Sequence, residues 1–130
     1  MGLNLLIVDD SAMMRAMIKR VAHMSEVPIG TIFEAANGAE ALKVLEANDV
    51  QAVFTDINMP VMSGIELLRA MAADARWKSL LRVIISTDGS EARRHEVRDL
   101  DVRLYVEKPF RPEVMRDVLS TISTADTHAH

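Results

Sequence analysis

The sequence predicts a doubly wound α/β domain, a parallel sheet with helices on both faces, and three observations point to it. Short apolar runs alternate five times with segments of helical period. Parallel neighbours need crossovers, and their fixed right-handedness lays the crossing helices over both faces of the sheet. The runs at residues 5–8 and 83–85 are continuously apolar, as strands covered on both sides should be. Finally, 130 residues are enough for one substantial core and too few for two.

Each element follows in turn. The first strand is residues 5–8, and the helix after it, 11–24, opens on Ser11 and spaces Met14, Met17, Ile18 and Val21 along one face. The methionines at 13, 14, 17 and 24 are read as packing residues rather than thioether metal ligands. The second strand, 31–36, leads to a helix over 38–47 with Ala41, Leu42 and Leu45 facing inward. The third strand, 52–55, is followed by a helix over 64–73 with Ile65, Leu68, Met71 and Ala72, and Trp77 is expected to cap the core beneath a loop. The fourth strand is 83–86. Its helix, 90–100, offers only Ala92, Val97 and Leu100 for burial, which predicts a weakly anchored element. In the fifth strand, 102–106, Val102, Leu104 and Val106 alternate with Arg103 and Tyr105, the pattern of a sheet edge. Met115, Val118, Leu119 and Ile122 share a face of the last helix, 112–122. Residues 1–124 form the expected domain and 125–130 an expected disordered tail, where Asp126, His128 and His130 are read as solvated rather than as metal ligands.

Composition narrows the function. The net charge of −4 is spread over interspersed acids and bases, without the basic stripe that nucleic acid requires. Cysteine is absent, which removes disulfides, thiolate catalysis and cysteine-ligated zinc. No apolar stretch reaches the length of a membrane span and the N-terminus lacks a signal pattern, so no membrane insertion and a cytoplasmic location are expected.

In an open parallel sheet the working residues lie beyond the carboxyl ends of the strands. Here the first strand ends in Asp9 and Asp10, the third in Asp56, the fourth in Ser86 and Thr87, and the fifth runs into Lys108. Helix capping explains a single strand-end Asp, but Ser11 already supplies a cap and no cap accounts for the lysine. Clustered carboxylates need a hard cation, and Mg²⁺ takes oxygen ligands while accepting phosphoryl oxygens. One carboxylate can then act as nucleophile toward a phosphoryl group, with Lys108 supplying positive charge and Ser86 a hydrogen bond.

The segments "VDDS", "TDINMPVMSG", "VIIST" and "YVEKPF", in this order, resemble the receiver domain of two-component response regulators, over nearly the whole chain. The resemblance implies a flavodoxin-like five-stranded sheet of order 2-1-3-4-5, in a family whose stand-alone chemotaxis regulator serves as a general example of that order. It implies that Asp56 is the phosphoacceptor, that Asp9 and Asp10 hold Mg²⁺ with Asp56, and that the backbone carbonyl of Asn58 completes the metal site. Ser86 then matches the switch hydroxyl, Lys108 the phosphate-pairing lysine, Tyr105 the aromatic that turns inward on activation, and Lys108-Pro109 a cis bond. The implied function is a signalling switch, not an enzyme, that accepts a phosphoryl group from a sensor histidine kinase or phosphotransfer protein and engages an output protein through residues 90–122. With no output domain attached, the chain looks most like the stand-alone chemotaxis type.

The sequence also departs from the family pattern. Thr87 stands where a smaller residue is usual, so its bulk, flanked by Asn58 and Asp88, is expected to slow phosphoryl exchange. "DLDVRLYVEKPF" lacks the glycines common before Tyr105, so a backbone that elsewhere relies on positive φ must be built differently in this loop. Arg93, Arg94 and Arg98 read either as a charged helix face or as a contact for an acidic partner. Two other functions remain open: a Mg²⁺-dependent phosphohydrolase working through an aspartyl phosphate, against which stand the adjacency of Asp9 and Asp10 and the lack of room for a cap; and an adaptor that needs no phosphorylation, against which stands the intact acidic set.

Overall fold

Strands and helices alternate along the chain as β1 (Leu3–Val8), α1 (Ala12–Met24), β2 (Ile29–Ala35), α2 (Gly38–Ala47), β3 (Ala52–Thr55), α3 (Gly64–Ala72), β4 (Leu81–Ser86), α4 (Glu91–Glu96), β5 (Leu104–Glu107) and α5 (Pro112–His128). The computed structural model describes residues 2–128, with side chains described as far as residue 123. Every strand pairing is parallel and the order is β2-β1-β3-β4-β5, the fold class and order expected, with β5 at an edge. The winding reverses between β1 and β3, which opens a crevice at their carboxyl ends.

Alternation across the sheet explains the continuously apolar runs. Leu6, Val8, Val53 and Ile84 join Ala41, Leu45, Leu68, Met71 and Trp77 in one cluster. Leu5, Ile7, Phe54, Val83 and Ile85 join Ile18, Val21, Ala22, Met115, Leu119 and Ile122 in another on the opposite face. Side-chain caps fix where four helices begin: Ser11, Asn37, Ser63 and Ser90 accept the N–H groups of Met14, Glu40, Glu66 and Arg93.

Several expectations need correction. Of the α1 methionines only Met14 is partly buried, whereas Met13 and Met24 are 83% and 74% exposed and Met17 is exposed as well. The inward stripe is 14, 18, 21 and 22; positions 13, 17 and 24 share a neighbouring face, about 100° around the helix from the centre of that stripe. The fourth helical segment is shorter than expected, ending at Glu96 and continuing only as a 3₁₀ turn over Arg98–Leu100. Val97 and Leu100 are buried, but Ala92 is exposed and α4 itself buries no side chain. The fifth strand starts at Leu104, not 102. In the loop before it, Asp101 has a left-handed φ of 57°, a conformation Asp tolerates better than most residues. α5 runs beyond Ile122 to His128; His130 lies outside the described residues, as do the side chains of Asp126 and His128.

Two further features tie the sheet to its loops. Trp77 is buried in a 3₁₀ turn over Ala75–Trp77, with the Arg76 guanidinium 4.6 Å from its ring centroid. The side chain of Arg82 in β4 is fully buried and donates to the carbonyl of Trp77 at 2.8 Å and to the Asp101 carboxylate at 3.2 Å, while its Nε finds no partner. Burial lowers its pKa and Asp101 opposes that shift.

Val61, between β3 and α3, has φ of 69° and is 83% exposed. A β-branched residue there is strained and its side chain gains little from burial. Val61→Asn should therefore stabilise the protein by roughly 1 kcal/mol, seen as a higher urea midpoint with unchanged m-value; an unchanged or lower midpoint would show that no strain is relieved.

Candidate functional site

The carboxyl ends of β1, β3, β4 and β5 bring the chemistry together. Asp9 follows β1 and is buried; its Oδ1 accepts the N–H of Ser11 at 2.9 Å, which fixes the start of α1. Asp10, next in the chain, is exposed and makes no hydrogen bond or ion pair among the described residues. Asp56 follows β3. Its N–H donates to the Val8 carbonyl at 2.9 Å and its Oδ1 accepts the N–H of Ile57 at 2.7 Å, so both backbone and side chain are held. Oxygen atoms of Asp9, Asp10 and Asp56 lie within 4.8 Å of one another.

Lys108 joins two of them. Its Nζ lies 2.7 Å from Asp9 Oδ2 and 3.0 Å from Asp56 Oδ2, and its N–H donates to the Ser86 carbonyl at 2.8 Å. Burial pushes this ammonium toward deprotonation, but the carboxylates of Asp9 and Asp56 outweigh it and hold its pKa above the ordinary lysine value. The Lys108-Pro109 bond is cis.

Ser86 ends β4 fully buried, with its Oγ accepting the N–H of Asp88 at 3.1 Å. Thr87 is exposed. Tyr105, in β5, is partly buried; its hydroxyl donates to the Asp88 carbonyl and the Arg94 guanidinium lies 4.4 Å from its ring centroid. Burial, then the charge of Asp88, raises the Tyr105 pKa. Asn58 is exposed at the rim, where its Oδ1 lies 3.4 Å from Arg93.

Two of the arginines read from the sequence as a charged face or a partner contact prove to be tied into this region, contacts that reading did not foresee. Arg93 pairs with Asp88 at 3.1 Å, and Arg94 pairs with Glu107 at 2.9 Å while stacking on Tyr105. The signal was available: side chains in the first turn of a helix lean back toward its N-terminus, so long residues just after Ser90 reach the preceding loop.

The donor set suits a hard divalent cation. It offers three carboxylates and no thiolate or imidazole, the oxygen-only chemistry of Mg²⁺. The carboxylates differ in what else they do, and metal-free protein should reveal it. Asp10→Ala should melt at or slightly above wild type, since it removes one of a set of like charges, while most of the melting-temperature rise given by Mg²⁺ should vanish. Asp9→Ala should cost roughly 2–3 kcal/mol even without metal, because it releases Lys108 and the start of α1. Thermal melts with Mg²⁺ and with chelator decide this; metal-free Asp10→Ala melting well below wild type would make Asp10 structural.

Comparison with known proteins adds an independent line. The model of the response regulator receiver domain matches residues 5–120. The chain is 36% identical over 121 residues to chemotaxis protein CheY1 of Helicobacter pylori, covering 92% of this chain and 96% of that protein. It is 34% identical over 120 residues to chemotaxis protein CheY of Pseudomonas aeruginosa, covering 92% and 95%. Among solved structures, chemotaxis response regulator CheY4 of Vibrio cholerae superposes with a TM-score of 0.82 at 26% identity, covering 94% of this chain and 99% of that one. The REC domain of AraT from Geobacillus stearothermophilus shares the fold, with a TM-score of 0.87 at 24% identity over 99% of this chain and 98% of that one.

Proposed function

The chain belongs to the response regulator receiver family, whose members are phosphorylation-dependent signalling switches, and from that premise we propose that Asp56 takes a phosphoryl group from a phosphohistidine of a sensor kinase or phosphotransfer protein. The observation that carries this reading is the Lys108 ammonium bridging Asp9 and Asp56 beside a third carboxylate, Asp10. An Asp56 oxygen attacks phosphorus, the P–N bond to the donor histidine breaks, and its electron pair stays on the imidazole nitrogen. Mg²⁺ held by Asp9, Asp10, Asp56 and the Asn58 carbonyl would neutralise charge on the transferring group. Lys108 then pairs with the phosphoryl oxygens and the Ser86 hydroxyl donates to one of them, which frees the Asp88 N–H and the space into which Tyr105 turns.

Output passes through residues 90–122. Arg94, Arg98 and Arg103 border a cleft of about 310 Å³ that Tyr105 also lines, which suits an acidic partner surface. We propose the cytoplasm as the site of the encounter with kinase and partner. No helix among the described residues is long and apolar enough to cross a membrane.

The test is labelling by acetyl phosphate with Mg²⁺, run beside an assay of phosphate-ester turnover. One phosphoryl group per chain and no sustained turnover is the expected result. Sustained turnover would favour the phosphohydrolase, and absence of label the phosphorylation-independent adaptor.

A further inference from the structure

Arg93 touches both loops that border the phosphoryl site. Its Nε donates to Asp88 Oδ2 at 3.1 Å and its Nη2 to Asn58 Oδ1 at 3.4 Å, while Nη1 is held by Glu96 Oε1 at 2.9 Å. Asn58 stands two residues after Asp56, beyond β3, and Asp88 stands two residues after Ser86, beyond the adjacent strand β4. One planar guanidinium therefore straps together the side chains at the rim of neighbouring strand ends. Asp88 is held from its other side as well, its Oδ1 accepting the N–H of Ser90 at 3.1 Å.

We propose that Arg93 is a positioning residue that sets the lifetime of the phosphoryl group by holding Asn58 and Asp88 across the approach to Asp56, an inference that rests on the function proposed above. Loss of the group is hydrolysis: a water oxygen bonds to phosphorus, the P–O bond to Asp56 breaks, and its electron pair returns to the carboxylate. The water's proton leaves with inorganic phosphate or passes to solvent. The water must arrive roughly in line with the leaving Asp56 oxygen. With the strap in place, two polar side chains share one fixed arrangement at that entrance; without it, each samples its own rotamers and the path opens. A lysine does not substitute, because an ammonium is a point donor on a flexible stem whereas the guanidinium fork serves Asp88, Asn58 and Glu96 together.

The experiment follows label on Asp56 after acetyl phosphate is removed. Arg93→Gln should shorten the lifetime roughly three- to tenfold, and Arg93→Lys should fall nearer to Arg93→Gln than to wild type. In an Asn58→Ala/Asp88→Ala background the step from Arg93 to Gln should lose at least half of its effect, the non-additivity expected of groups that act together. Melting temperatures of the Arg93 variants should stay close to wild type, since partly exposed ion pairs contribute little to stability. Wild-type decay in Arg93→Gln, full rescue by lysine, or an undiminished effect in the double-alanine background would each overturn the strap while leaving the phosphoacceptor assignment standing. A wild-type protein that takes no label would overturn that assignment and the strap with it.

Discussion

Asp56→Asn protein, incubated with acetyl phosphate and Mg²⁺, should take up no phosphoryl group, a loss on the order of a thousandfold or more in labelling rate. The amide has the shape of the carboxylate but no anionic oxygen to attack phosphorus. Its oxygen can still accept the N–H of Ile57, which Asp56 receives at 2.7 Å, and the backbone bond to Val8 is untouched. Lys108 keeps its shorter contact, the 2.7 Å pair with Asp9. The fold should therefore survive, and melting should confirm that lost labelling is lost chemistry. Ser86→Ala separates chemistry from response, since it removes only the buried hydroxyl that accepts the Asp88 N–H. That protein should label normally yet show no change in partner affinity. Wild-type stoichiometry in Asp56→Asn would move the phosphoacceptor elsewhere, with Asp9 and Asp10 the next residues to test.

Gly64→Ala should be the most damaging single-methyl change near the site. A Cβ at Gly64 would stand 1.9 Å from the Asp56 carbonyl oxygen and 2.9 Å from its carbonyl carbon, and backbone cannot swing aside as a flexible side chain does. The close approach exists because α3 begins against the segment after β3, with the Gly64 N–H donating to the Ile57 carbonyl at 2.9 Å. Alanine would gain up to about 1 kcal/mol in helix propensity, but relieving the overlap requires moving α3 or Asp56. A net loss of roughly 2–3 kcal/mol is expected, with slower labelling because Asp56, the proposed nucleophile, is displaced. Chemical denaturation measures the first effect and acetyl phosphate uptake the second. A protein of wild-type stability would mean the two segments separate at little cost.

Much of this architecture was readable in advance because local signals agreed with one another. The Ala41, Leu42, Leu45 stripe marked α2 at its observed bounds, and the unbroken runs of β1 and β4 announced burial on both faces. The strand-end residues that converge, Asp9, Asp10, Asp56, Ser86 and Lys108, followed from topology once the alternation was recognised. What was not readable depended on partners distant in sequence or on the phase of a helix. Arg82 inside an apolar strand is explained only by Trp77 and Asp101, which come from two separate loops. The methionines of α1 satisfied a helical spacing that did not reveal which stripe faces the sheet. β2 and β4 begin two residues earlier than their apolar runs suggested, at Ile29 and Leu81, because ladder pairing with Leu3 and Ala52 extends them.

The six residues of α4 bury no side chain, and this bears on how little a signal must supply. Two core clusters hold the other helices to the sheet, whereas α4 is retained by its neighbours Val97 and Leu100 and by surface pairs such as Arg94 with Glu107, each worth about 0–1 kcal/mol. Two placements of this element therefore need differ by only a few such contacts. At that scale an unmodified chain would hold the second placement as a standing minority of about one in a hundred, and a phosphoryl group with a differential interaction of about 5.5 kcal/mol could make it dominant. The device would then work as a biased balance rather than a latch, with a basal output that never falls to zero.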